Sequence, residues 1–221
     1  MEIVIIMIIG SLGMSLFIGL VIFFSLKYEK ARTAQFQDVA DELGLQFDPD
    51  GNSAVQGSIG QLQLFNQGHS KSTKNMLSGQ NQDVDIAIFG YQYTTGTGKN
   101  SNTYSQSVIS FQSSNLSLPK FELRPERIFH KIGQMFGYQD IDFDSHPGFS
   151  KQYILRAPDE AAVREFFTED ILDFFESQKG ISIEASDNQL IYYRASKRIK
   201  PEDVKDFMSE GFNLYALLKQ E

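Results

Sequence analysis

DVDIAIFGYQYTTGTGKNSNTYSQSVISFQ, residues 83–112, is the stretch whose reading decides the fold. Its middle, Gly96-Thr97-Gly98-Lys99, is the kind of text that wraps a nucleotide phosphate, while its flanks read as two β-strands. A Walker loop needs Gly-x-x-x-x-Gly-Lys-Ser/Thr opening a helix, so that amides at the helix start hold the phosphates and the hydroxyl reaches magnesium. With Gly98-Lys99 as the pair, the first glycine position holds Tyr93 and the hydroxyl position holds Asn100. A dinucleotide fingerprint on Gly96 and Gly98 would place its third glycine at Ser101, again with no helix following. Val84, Ile86 and Ile88 alternate with their neighbours, and TYSQSVISFQ supplies a second β-rich run. The segment is therefore expected to be a hairpin, with glycines that permit positive φ at its tip.

The same pattern recurs downstream. ISIEA (181–185) and LIYYR (190–194) flank SDNQ as a second hairpin, while LQF (45–47), QLQLF (61–65), DIDF (140–143) and QYILR (152–156) read as further strands. HSKSTKN (69–75) reads as an exposed loop. Helical spacing marks Phe36, Val39, Ala40 and Leu43 ahead of a capping Gly44. It also marks Ile128, Ile132, Met135 and Phe136 after Pro125, and Val163, Phe167, Ile171, Phe174 and Phe175 with a break at Thr168. A last helix opens at Pro201-Glu202-Asp203 and carries Val204, Phe207, Met208, Gly211, Tyr215 and Leu218 along one side. Hairpins interspersed with helices predict an α+β fold with a mainly antiparallel sheet and helices packed against it. The soluble part, residues 28–221, divides into two candidate sub-lobes, 28–123 and 124–221.

The amino terminus sets the expected address. Ile3 to Leu26 is an uncharged run of 24 residues, roughly 36 Å as a helix against a hydrocarbon core of about 30 Å. It lacks the basic leader and small-x-small cleavage site of a signal peptide, so residues 1–27 read as a transmembrane anchor. Lys27, Lys30 and Arg32 follow the run while the preceding tail carries no basic side chain, which orients the amino terminus outside and the soluble domain in the cytoplasm. Ser11, Ser15 and Gly19 lie on one helix face, where small side chains would admit a second helix and offer a route to a homodimer. Twenty basic and 28 acidic residues leave a net charge of −8, which disfavours nucleic acid as a partner. The absence of cysteine removes disulfides, thiolate metal sites and cysteine nucleophiles.

One stretch offers site chemistry. If DIDFDSH is extended, Asp140, Asp142, Asp144 and His146 share one face and could hold a hard divalent cation. The competing reading is the solvated face of a half-buried strand. As a calcium loop the stretch fails, because the required glycine is Ser145 and the closing glutamate is Lys151. His69 and His130 read as surface histidines, and FFTEDILDFF reads as core packing. No catalytic grouping and no cofactor-binding motif emerges. Lys27, Lys30 and Arg32 are a further candidate for lipid headgroups, although three charges are few for that role.

The anchor and helix ending in LGLQF, the hairpin YQYTTGTGKN, FELRPERIFHKIG, DIDFDSHPGFSKQYILRAPDEAAVREFF and ISIEA…LIYYR together resemble an uncharacterised family of bacterial single-pass membrane proteins with a soluble α+β domain. That resemblance implies a bacterial inner-membrane location and brings no activity. The expected function is a membrane-anchored, non-enzymatic protein-interaction or assembly module, whose partners are the bilayer and another membrane or cytoplasmic protein. The alternative is a metal-dependent enzyme or ion-sensing domain that uses the Asp140/Asp142/Asp144/His146 face.

Overall fold

A computed structural model describes residues 2–51, 57, 59–80, 83–126 and 139–219, with the side chains of 2–12 and 15 outside the described set. The fold is α+β. Helix α1 (Glu2–Leu43) leads into strand β1 (Gln46–Asp48), the one-turn helix α2 (Gln63–Asn66), and strands β2 (His69–Gln80), β3 (Asp85–Thr95), β4 (Asn102–Gln112) and β5 (Leu118–Pro125). Helix α3 (Pro147–Gln152), strand β6 (Tyr153–Arg156), helices α4 (Glu160–Phe166) and α5 (Glu169–Ser177), strands β7 (Ser182–Asp187) and β8 (Gln189–Tyr193), and helix α6 (Val204–Leu218) follow. The strands form one sheet in the order β1-β2-β3-β4-β8-β7-β5-β6, and every neighbouring pair is antiparallel.

The hairpin at the centre is as the sequence predicts. β3 and β4 pair without slippage from Asp85↔Gln112 to Thr95↔Asn102. At the tip Gly96 has φ +74° and Gly98 φ +57°, and a Cβ on Gly96 would lie 2.4 Å from the Asn100 carbonyl oxygen. The glycines serve a tight reversal, and the chain goes on as strand rather than helix.

Period-two alternation gives the sheet two buried faces. On the first, Ile88, Ile109, Phe111, Phe121, Leu123, Ile183 and Tyr192 meet α1, α4, α5 and α6. On the second, Phe89, Tyr91, Tyr93, Val108, Ile191 and Tyr193 are covered by Ile59, Leu62 and Leu64. Strands β3, β4 and β8 are apolar at both parities because both sides are covered. Thr168 breaks the FFTEDILDFF region into α4 and α5 as expected, and its Phe166, Phe167 and Phe175 are buried.

Helix α1 docks on the first face only through its last turns. Arg32, Phe36 and Ala40 are buried, Gly44 takes φ +67°, and the Leu45 amide returns to the Ala40 carbonyl at 2.8 Å, a Schellman closure. Upstream the described large apolar residues from Met14 to Leu26 are exposed. Among the described residues no helix is long and apolar enough to cross a membrane, so the span expected over Ile3–Leu26 is not carried by those residues alone. Of the expected helix seam, Ser11 and Ser15 lie outside the described side chains, and a Cβ on Gly19 would meet nothing within 4 Å.

Several local expectations change. Residues 69–75 are strand, because β2 pairs with β3 over its length while β1 covers only Met76–Ser78. The free half is an edge, and edges carry polar and cationic residues that read as loop, here Ser72 and Lys74. QLQLF is not a strand; Gln63–Asn66 forms α2, and its Leu64 enters the second-face core. Residues 118–125 form β5 in spite of two prolines, with the register shifting between Leu118 and Phe121 around Pro119. Residues 123 and 124, the proposed sub-lobe boundary, therefore sit within one strand. Residues 140–143 are not strand, and the helix expected from Ile128 to Phe136 lies outside the described residues.

Candidate functional site

The charged centre of the domain is on the second sheet face. Alternation in β5 sends Phe121 and Leu123 to the first face and Glu122 and Arg124 to the second, and alternation in β7 does the same with Ile183, Ala185 and Glu184. Glu184 is 1% exposed. One of its carboxylate oxygens accepts from the Leu64 amide at 3.0 Å. The other accepts from Arg124 Nη2 at 2.9 Å and from the Tyr193 hydroxyl at 3.3 Å. Arg124 also pairs through Nε with Glu122. With the Gln67 amide oxygen turned to Arg124, it accepts from both terminal guanidinium nitrogens, and the amide nitrogen donates to the Tyr93 hydroxyl at 2.9 Å.

Two carboxylates thus share one buried guanidinium. Burial pushes the Glu122 carboxyl up to about 7, against the pull of Arg124 and with the help of Glu184. Burial likewise raises the Tyr93 hydroxyl to about 12 and holds that of Tyr193 well above its ordinary value. A cavity of about 100 Å³ adjoins the cluster, lined by Leu62, Phe121, Glu122, Arg156, Pro158 and Glu184. The geometry is that of a clamp: it joins α2 to β5, β7 and β8, and it leaves one carboxyl near neutrality beside a small opening.

Sequence reasoning missed this cluster, since a single glutamate within the strand ISIEA belongs to no motif. The detectable signal was LIYY in β8, whose unbroken apolar run requires cover on both sides. Glu184 pairs with Ile191 of that strand and shares its second-face burial.

The expected metal face is not assembled. Residues 140–143 are irregular, so strand alternation does not apply to them. The Asp140 carboxylate accepts from the Leu155 amide at 2.8 Å, and its pKa is raised mainly by burial. Asp142 and Asp144 point outward, and the Asp142 backbone carbonyl accepts from Arg164. His146 precedes α3, with Nε2 3.2 Å from Asp173 and Nδ1 2.9 Å from the Ser145 hydroxyl. Among the described residues, no group of three or more histidine, aspartate and glutamate side chains is placed to hold a metal ion. His69 reaches from β2 to the Gly96 carbonyl at the hairpin tip, 2.9 Å, and His130 lies outside the described residues.

No family model matches the chain, and no curated protein matches it in sequence. Among solved structures it is similar to the crystal structure of the mycobacterial trehalose monomycolate transport factor A, TtfA, with a TM-score of 0.57 and 9% sequence identity. The match covers 85% of this chain and 92% of that one, and at this identity it speaks for a shared fold.

Proposed function

We propose that the protein is a single-pass, non-enzymatic interaction or assembly module of the bacterial inner membrane, anchored by residues 1–27 with its α+β domain in the cytoplasm. The observation that carries this reading is the continuity of α1. One 42-residue helix holds the uncharged run at its start and the buried Arg32, Phe36 and Ala40 near its end. From Met14 to Leu26 its described apolar side chains have no protein to cover them, and a helix apolar all round calls for an apolar surrounding. The domain is therefore fixed to its anchor without a flexible linker, which suits a protein that presents a surface at a set height above the bilayer. The fold shared with a protein named as a transport factor, rather than as a transporter, is in keeping with an accessory role.

Since the chain has no cysteine, single-cysteine variants test the topology directly. In intact bacteria a membrane-impermeant maleimide should label Glu2→Cys, and should label Lys99→Cys only after lysis. Release of the protein by an alkaline wash, or labelling of Lys99→Cys in intact cells, would overturn the anchoring. Crosslinking in native membranes should trap a discrete partner through the domain; recovery of uncrosslinked chain alone would overturn the interaction role.

A further inference from the structure

The Lys27, Lys30 and Arg32 triplet does not stay together. Arg32 folds against the domain, 7% exposed, with Nη2 donating to the Ile199 carbonyl at 2.7 Å and the guanidinium over the Phe36 ring. There it joins two cations from distant sequence, Lys74 of β2 and Arg198 of the segment after β8, which together line a hollow beside α1. The hollow shares Lys74, Gly90 and Arg198 with a wider cleft of about 260 Å³, whose wall also holds Ser72, Gln92 and Ser105.

Glu29 is the carboxylate at this cleft, bound by both terminal nitrogens of Arg198 at 3.0 and 3.1 Å. Its pKa is lowered chiefly by that hydrogen bond, with Arg32 and Lys74 acting in the same sense against burial. Arg32 is itself lowered, first by burial and then by repulsion from Arg198. Among the residues lining the hollow and the cleft, three cations therefore face one carboxylate, with Glu202 outside the lining also acting on Arg32, and the buried Arg32 Nε has no hydrogen-bond partner among the described residues. The imbalance sits where α1 meets the domain, one to two turns beyond Leu26, the last residue of the uncharged run.

We infer that this cleft binds the phosphodiester headgroup of an anionic phospholipid, the phosphate against Lys74 and Arg198 and the glycerol hydroxyls against Ser72, Gln92 and Ser105. Lys74 and Arg198 add two cations to the three that follow the uncharged run, and neutral hydroxyl and amide groups supply selectivity for a polyol. The inference rests on the anchoring proposed above for its choice of a lipid over a soluble phosphate.

The test uses the full chain, purified in a neutral detergent, with phosphatidylglycerol or phosphatidylcholine added and bound lipid counted by native mass spectrometry. Phosphatidylglycerol should be retained at least fivefold better than phosphatidylcholine. Lys74→Gln and Arg198→Gln should each lower that retention by about fivefold, the effect of one surface cation on an anionic lipid. Lys179→Gln, outside the cleft, should leave it unchanged, and unaltered melting temperatures should show that the variants are folded. Equal retention of the two lipids, or retention indifferent to Lys74 and Arg198, would overturn the inference. So would displacement by glycerol 3-phosphate at concentrations equal to the lipid, which would assign the cleft to a soluble phosphate. Selective retention in a chain that fails the cysteine topology test would refute the anchor and keep the site.

Discussion

Glu184 in β7 accepts a hydrogen bond from the backbone amide of Leu64, 120 positions earlier in the chain, at 3.0 Å. This bond fastens α2 to the sheet and closes the second face, and the same carboxylate balances Arg124. Glu184→Ala should leave the buried guanidinium with Glu122 as its one remaining carboxylate partner beside the Gln67 amide, and strand the Leu64 amide. The loss should be about 3–5 kcal/mol of stability, read as a lower denaturant midpoint of the full-length protein in detergent.

Glu122 gives the cluster a pH dependence of known sign. Its carboxyl titrates near 7 in the folded chain and near an ordinary 4.5 when unfolded. Below about 4.5 both states hold the proton, and the folded chain has its full stability from this group. Between those values the folded chain binds more protons, so stability falls as pH rises, and the loss is complete above 7. Melting temperatures from pH 4.5 to 8 should show this decline, and Glu122→Gln should flatten it.

At the hairpin tip, Gly96→Ala should destabilise the protein by about 1–3 kcal/mol, since positive φ and a carbonyl 2.4 Å from the new Cβ both oppose it. Lys99→Ala should change stability by no more than about 0.5 kcal/mol, because its side chain is exposed. Neither variant should alter ATP or GTP binding measured by calorimetry, which should show no heat for the unsubstituted chain.

Asp140 acts through the Leu155 amide, so Asp140→Ala should cost about 1–2 kcal/mol, while Asp142→Asn and Asp144→Asn should be near neutral. Calcium, magnesium, manganese, zinc and EDTA should leave the melting temperature where it is. A rise with any one of the metals, abolished by Asp142→Asn, would restore a cation site.

The packing of α1 is open to a parallel measurement. Phe36 is buried beneath the Arg32 guanidinium, and Phe36→Ala should cost about 3–5 kcal/mol. It should also free α1 from the domain, which would show as protease cleavage after Arg32.

What lay open in the chain itself was whatever depends on near neighbours. Alternation in DIAIFGYQY and its glycine-rich reversal specified a hairpin, three- and four-residue spacing specified the α5 and α6 faces, and 24 residues without a charge marked the leader. Tertiary structure alone decided what depends on cover. HSKSTKN is a strand because β3 supplies its hydrogen bonds, and DIDF is not because Leu155 and Ser150 take its backbone and side-chain groups. Glu184 and Arg124 are buried because α2 closes over them, and Arg32 leaves its basic neighbours for the Ile199 carbonyl because α1 lies on the sheet there. A local pattern reports which residues share a face; it carries no information on which distant segment will exclude water from that face.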